Sequence, residues 1–422
     1  MGEQNTYWKA AQLMNNKLSR IEFITSVLLF LSVLVIPLSP KWGNITFVAI
    51  GLASIYQFFT INKRALRPTL ISTLLILIFL VRFIGLIWTS DKQYAFGIID
   101  TALPLLVIPI LFIMIPYHNY YSKVIKWAFI IMSVLTMLYA FFQLFLYVST
   151  IDLSLSDYLY QHISRPSDYS VNMLNWKFAH YSFLSLIFIY GFIFLLYLDL
   201  DLNRWMSIIV KMSYLILMLL FMTFTGARSG VLLTVIVIGL KSLIFLYEKI
   251  NLRSFFILTA LLFLTTTAAI SYYISSKRYS ENDYTRYQYA VVAIAAWKES
   301  PWIGLGTGSS KAVMRNIDFV KSLGFVETSR YNDHPAISHP HNQYLNELLQ
   351  FGIIGSIPLF LLVIWMLYAS SKARQWDFFL VMVTASIFML IEAPLNSNKG
   401  VVPFTLISCV MAQQLKNLVN KN

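Results

Sequence analysis

The stretch LISTLLILIFLVRFIGLIWT, residues 70–89, carries a single charge, Arg82, in twenty positions. As a helix it would be about 30 Å long, the thickness of a bilayer's hydrocarbon core. Similar runs recur along the 422 residues, which are 58% hydrophobic and 12% charged. A soluble domain has about 25% charged residues, so this chain cannot cover itself for water. We read an all-α polytopic membrane protein with about 12 transmembrane helices, at 22–39, 43–61, 70–89, 95–116, 124–149, 177–198, 206–224, 229–247, 254–274, 349–368, 376–393 and 399–415. Alternating strands of a membrane barrel are absent from the pattern.

The formal net charge of +13 does not call for nucleic acid, because Lys and Arg flank helices on the cytoplasmic side. Lys63, Arg64, Arg67, Lys123, Lys126, Arg204, Lys249, Arg253, Lys372, Arg374, Lys416 and Lys421 all fall between or beyond spans on the side of the N-terminus, which itself carries Lys9, Lys17 and Arg20. Both termini are therefore expected in the cytoplasm. The first twenty residues are polar and lack a small-residue cleavage site, so no cleaved signal peptide is expected. One cysteine, Cys409, permits no intrachain disulfide.

Three segments follow from this topology. Residues 1–274 hold spans one to nine, 275–348 form a large late loop on the outer face, and 349–422 hold spans ten to twelve and a cytoplasmic tail. A second polar stretch, 150–176, lies on the same outer face. Within the late loop, 284–298 has apolar residues at helical spacing, and ESPWIGLGTG then breaks the pattern with a proline and three glycines. The GTG at 306–308 follows no strand and reads as a turn rather than a nucleotide fingerprint. No repeat marks inverted transporter halves.

Polar groups near membrane depth are costly and tend to have a purpose. Arg228, in TGARSG, sits between spans seven and eight. It either snorkels to headgroups or, with small neighbours admitting a ligand, binds an anion bidentately. Arg286 is a second cation on the same side, or else a solvated loop charge. His341 heads the tenth span. With His334 and His339 it gives His-x4-His-x-His, but no cysteine or carboxylate cluster completes a metal site. A histidine at an interface also suits proton abstraction near neutrality, with Asn342 or Glu347 orienting the ring or the substrate. Arg82 and His180 either line the same cavity or satisfy helix packing; Tyr344 is placed to contact a sugar, and His339 has no assigned task.

HNQYLNELLQFGIIG has His-Asn, nine residues, then Gly-x-x-Gly, at His341, Asn342, Gly352 and Gly355. Together with RYQYAVVAIAAWKESPWIGLGTG and TGARSG, in that family's order over 223–355, it resembles the O-antigen ligase and polymerase superfamily of bacterial membrane glycosyltransferases. The resemblance implies a GT-C-like fold in the inner membrane with its active site facing the periplasm. It implies a donor glycan on undecaprenyl pyrophosphate, held by Arg228 and Arg286, and His341 as base for an inverting, metal-independent transfer without cofactor. The acceptor would be the lipid A core of lipopolysaccharide for a ligase, favoured here by the chain's modest length and single dominant late loop. A polymerase would use a lipid-linked repeat unit, and a further branch uses protein serine or threonine. A transporter or flippase remains as a non-catalytic alternative, though its key residues should lie at the midplane.

Overall fold

The computed structural model describes residues 20–38, 40–60, 68–115, 119–150, 181–249, 281–325 and 339–419. Every regular element among them is helical: α1 (Arg20–Leu34), α2 (Pro40–Thr60), α3 (Leu70–Ile84), α4 (Lys92–Ala102), α5 (Pro104–Met114), α6 (Asn119–Thr150), α7 (Tyr181–Tyr197), α8 (Arg204–Phe224), α9 (Arg228–Lys249), α10 (Glu281–Trp297), α11 (Ser309–Met314), α12 (Ile317–Ser322), α13 (Gln343–Lys372), α14 (Trp376–Ile391) and α15 (Asn398–Val419), with a 3₁₀ turn at Pro394–Asn396. Among the described residues, five helical stretches are long and apolar enough to cross a membrane and four shorter ones are apolar. Among the described residues the fold is all-helical, which fits a polytopic membrane protein. The expected spans overlap helices of the described residues, while the ninth, 254–274, lies outside the described residues, as do 151–180 and His334.

Starts and stops follow local chemistry. Thr69, Asp91 and Asn203 each accept a hydrogen bond from a backbone N–H of the first turn that follows, at Ser72, Tyr94 and Met206, satisfying donors that a helix leaves orphaned. The expected span 95–116 is two helices, because Pro104 cannot donate to the turn before it and restarts the chain as α5. At the centre stands α7, whose sequence YSFLSLIFIYGFIFLLY is apolar all round and buried from Leu184 to Leu195, as such a helix must be. It packs against α6, α8, α9 and α14. Helix α8 instead shows Ile209, Met212, Ile216 and Leu220 outward, a face suited to lipid.

The tenth expected span is longer than read. Helix α13 begins at Gln343, so the expected boundary at 348/349 falls inside it, and it is broken at Gly352, whose φ of 62° and ψ of −168° are not helical. A break at membrane depth survives only where its polar backbone is satisfied, and the segment 301–306 satisfies it. Ile353 and Ile354 donate to the carbonyls of Pro301 and Trp302 (2.9 and 3.1 Å), while Leu305 and Gly306 donate to Leu349 and Gln350 (3.0 and 2.8 Å). A Cβ at Gly352 would lie 2.3 Å from the Trp302 carbonyl carbon, so glycine is required there. Beside this junction a second, smaller core joins Tyr289, Val292, Ala293 and Ala296 of α10, Met314 of α11 and Val320 of α12 to Leu349 of α13. That core fixes α10 over the start of α13.

Candidate active site

His341 precedes α13 in a left-handed conformation, φ 48°, which costs a residue with a Cβ about 1 kcal/mol. Its neighbours hold it there. Its backbone N–H donates to Nδ1 of His339 (3.2 Å), and the Asn342 side chain caps α13 at Leu345 N (3.0 Å) while its Nδ2 donates to Leu390 O (3.1 Å). The second bond ties the start of α13 to the end of α14. The His341 ring is stacked on Tyr289 of α10, centroids 5.8 Å apart, and tilted against His339 at 4.7 Å.

The carboxylate that orients this ring is Glu392, the residue ending α14. Its Oε2 lies 3.0 Å from His341 Nδ1, and its Oε1 lies 3.5 Å from an Arg286 guanidinium nitrogen. A carboxylate accepts, so Nδ1 carries a proton, and in the neutral ring this is the tautomer whose Nε2 holds the lone pair. The Glu392 side chain is 6% exposed, whereas His341 and Arg286 are 35% and 47% exposed. One buried carboxylate thus steadies two groups that reach outward. Arg228, the exposed first residue of α9, is within electrostatic range of Tyr181 at the start of α7, as are Glu392 and Arg286. It also sits at the positive end of a helix dipole. Burial lowers the His339 pKa to about 4, with the neighbouring His341 adding to the effect and Glu392 opposing it. His339 is therefore neutral near pH 7, consistent with its Nδ1 accepting from His341.

Below the ring runs a buried polar stripe, Gln343, Asn346, Glu347 and Gln350, at the three- and four-residue spacing of one helix face. Glu347 does not reach the histidine. It pairs with Arg82 of α3 and accepts from Gln343 Nε2 (2.7 Å). Gln343 Oε1 in turn accepts from Leu395 N (2.9 Å), and Arg82 donates to Leu395 O (2.8 Å). Arg82 is 1% exposed; of the two tasks open to it, the geometry places it in helix packing. Tyr344 donates to Ser386 O (3.2 Å) and stacks on Phe360, on the side of α13 that meets α14. His180 lies outside the described residues. Among the described residues no three of His, Cys, Asp and Glu gather as a metal site would need.

His341, His339, Asn342 and Arg286 therefore meet at one end of the bundle, and Arg228 shares with Arg286 and Glu392 an electrostatic influence on Tyr181. Glu392 was missed by sequence reasoning. Its signal was present: a lone carboxylate in LIEAPLN, at the end of an apolar run, is as costly there as the arginines that were singled out. The arrangement offers a proton acceptor backed by a carboxylate beside the exposed cation of Arg286, which suits attack by a hydroxyl on a substrate with an anionic leaving group.

No curated protein matches the chain. Residues 213–360, which run from α8 through α10 and the histidine to the broken α13, match the family model described as O-antigen ligase.

Proposed function

We propose, from the match of residues 213–360 to the O-antigen ligase family model, that the chain is a member of that superfamily and transfers a glycan from undecaprenyl pyrophosphate to the lipid A core of lipopolysaccharide at the periplasmic face of the inner membrane. His341 Nε2 takes the proton of the acceptor hydroxyl. The acceptor oxygen attacks the anomeric carbon, the bond from that carbon to phosphate oxygen breaks on the opposite face, and configuration inverts. Undecaprenyl pyrophosphate leaves as an anion, so positive charge aimed at it does the work of an acid. Arg286 and Arg228 supply that charge, and the bidentate geometry of guanidinium suits phosphate oxygens.

The observation that carries this reading is the Glu392 carboxylate shared between His341 Nδ1 and Arg286. It sets the tautomer that leaves Nε2 basic and keeps a cation within reach of the same reacting centre. A general base contributes about 10²- to 10⁴-fold to rate, so His341→Ala should lower transfer by that factor while the protein stays abundant in the membrane. The test is the lipopolysaccharide profile of a host lacking this gene, restored with wild type or His341→Ala. Bare core without O-units in the deletion and the variant supports the ligase. Core bearing one repeat unit makes the protein a polymerase, with a lipid-linked repeat as acceptor. Full restoration by His341→Ala overturns the chemistry.

A further inference from the structure

A recess lies outside the histidine site. It has a volume of about 330 Å³ and is lined by Asp91, Gln93, Tyr94, Gly97 and Lys311, at the small end of the range for ligand sites. Four of the five belong to the start of α4 and its cap; Lys311 comes from α11. Gln93 and Gly97 are exposed, so the recess opens to the surface. We propose that this recess is a saccharide subsite that holds one sugar ring of a glycan whose reacting end lies at His341.

The lining chemistry argues for a sugar. One carboxylate and one ammonium leave no net charge to select an anion. Asp91 spends one oxygen on Tyr94 N (2.9 Å), capping α4, and keeps acceptor capacity for hydroxyl donors. Lys311 is held over the Tyr94 ring, 4.2 Å from its centroid, a cation–π contact that fixes a donor beside an aromatic surface. The negative faces of aromatic rings attract polarised C–H groups, which the apolar face of a pyranose presents. A Cβ at Gly97 would meet nothing within 4 Å, so the recess wall is open at that point.

The recess is also joined rigidly to the site. Gly308, beside Lys311, approaches so closely that its Cβ would lie 3.1 Å from Ala95 of α4, and its N–H donates to Gln350 Oε1 (2.6 Å). Thr307 N donates to Gly85 O (3.2 Å) and Thr89 Oγ1 to Thr307 O (2.6 Å). Gln350 is eight residues beyond Asn342 on α13, about 12 Å along the axis. That rise sets the scale of separation the subsite implies, within reach of a short chain of sugars.

The inference rests on the glycan-transfer reading, and two variants separate them. The full chain in detergent is tested by saturation-transfer NMR with two probes: repeat-unit oligosaccharide released from the host's surface glycan by mild acid, and lipid-free core oligosaccharide. At least one should bind to wild type and to His341→Ala, and at least tenfold more weakly to Gly97→Trp, which puts a bulky side chain on the recess wall at a position where an added Cβ meets nothing within 4 Å. Which probe responds assigns the subsite to the repeat unit or to the core. Equal binding by wild type and Gly97→Trp, or binding of neither probe, overturns the subsite. Transfer retained by His341→Ala while Gly97→Trp loses saccharide binding would remove the proposed chemistry and leave the subsite standing.

Discussion

Arg82–Glu347 and Arg286–Glu392 bring the same two functional groups together near one end of the bundle, two residues of chain separating Glu392 from Leu395, the carbonyl partner of Arg82. Their surroundings make them different objects. Arg82 and Glu347 are 1% and 2% exposed, and their partners are protein: a carbonyl and an amide. In Arg286–Glu392 the carboxylate is buried but the guanidinium is 47% exposed and 3.5 Å away. The first pair is closed and joins α3, α13 and the Pro394–Asn396 turn. The second is open on its cationic side and shares its carboxylate with His341. Burial decides which arginine is available for a ligand; charge alone does not.

Breaking the closed pair should have the largest effect on stability. Arg82→Ala leaves Glu347 as an uncompensated buried charge, a loss of about 3–5 kcal/mol, and the amount of folded protein in the membrane should collapse. Arg82→Met with Glu347→Leu should recover much of it, because two apolar groups remove the unpaired charge. In the open pair, Arg286→Ala should cost under about 1 kcal/mol of stability but about 10²- to 10³-fold in transfer, the scale of one preorganised electrostatic group. A Tm drop in detergent matching that of Arg82→Ala would erase the contrast.

Glu392→Gln sharpens the comparison further. It keeps the size of the side chain but lets the His341 tautomer relax, and should lower kcat by roughly ten- to a hundredfold, less than loss of the base itself, with little change in KM. A change in KM alone would mean that Glu392 only shapes the binding surface. The smallest effect at neutral pH belongs to His339. Its folded pKa of about 4 lies below the ordinary 6.5, so between these values the unfolded chain binds a proton that the folded one refuses. Stability is then full above pH 6.5 and falls toward pH 4, by about 2 kcal/mol at pH 5 from this group. His339→Gln should flatten that part of a Tm-against-pH curve and leave pH 7 unchanged.

Much of this was legible in the chain itself. Apolar runs of bilayer length placed the helices, since hydrocarbon leaves a spanning backbone no other partner than itself, and the cost of charge near apolar runs drew attention to Arg82, Arg228 and Arg286. The helix at 284–298 was readable from its period and is α10. Its neighbour ESPWIGLGTG was readable as a breaker, but that it breaks onto Gly352, donor by donor and carbonyl by carbonyl, was not: the two halves of that junction are about fifty residues apart, and nothing local couples them.

The same limit governed the site. His341 announced itself as a histidine at the head of an apolar run, but two carboxylates, Glu347 and Glu392, were available to it and only one orients the ring. Glu347 is six residues away and was the natural candidate; it is turned toward α3 by the polar stripe of α13. Glu392 is fifty-one residues away and is brought to 3.0 Å by the antiparallel return of α14. Residue type and spacing determined that the protein is a helical membrane bundle with a histidine and arginines at one end. Packing alone decided which charges are sealed and which stay open, because burial and pairing depend on helices that come together from distant parts of the chain.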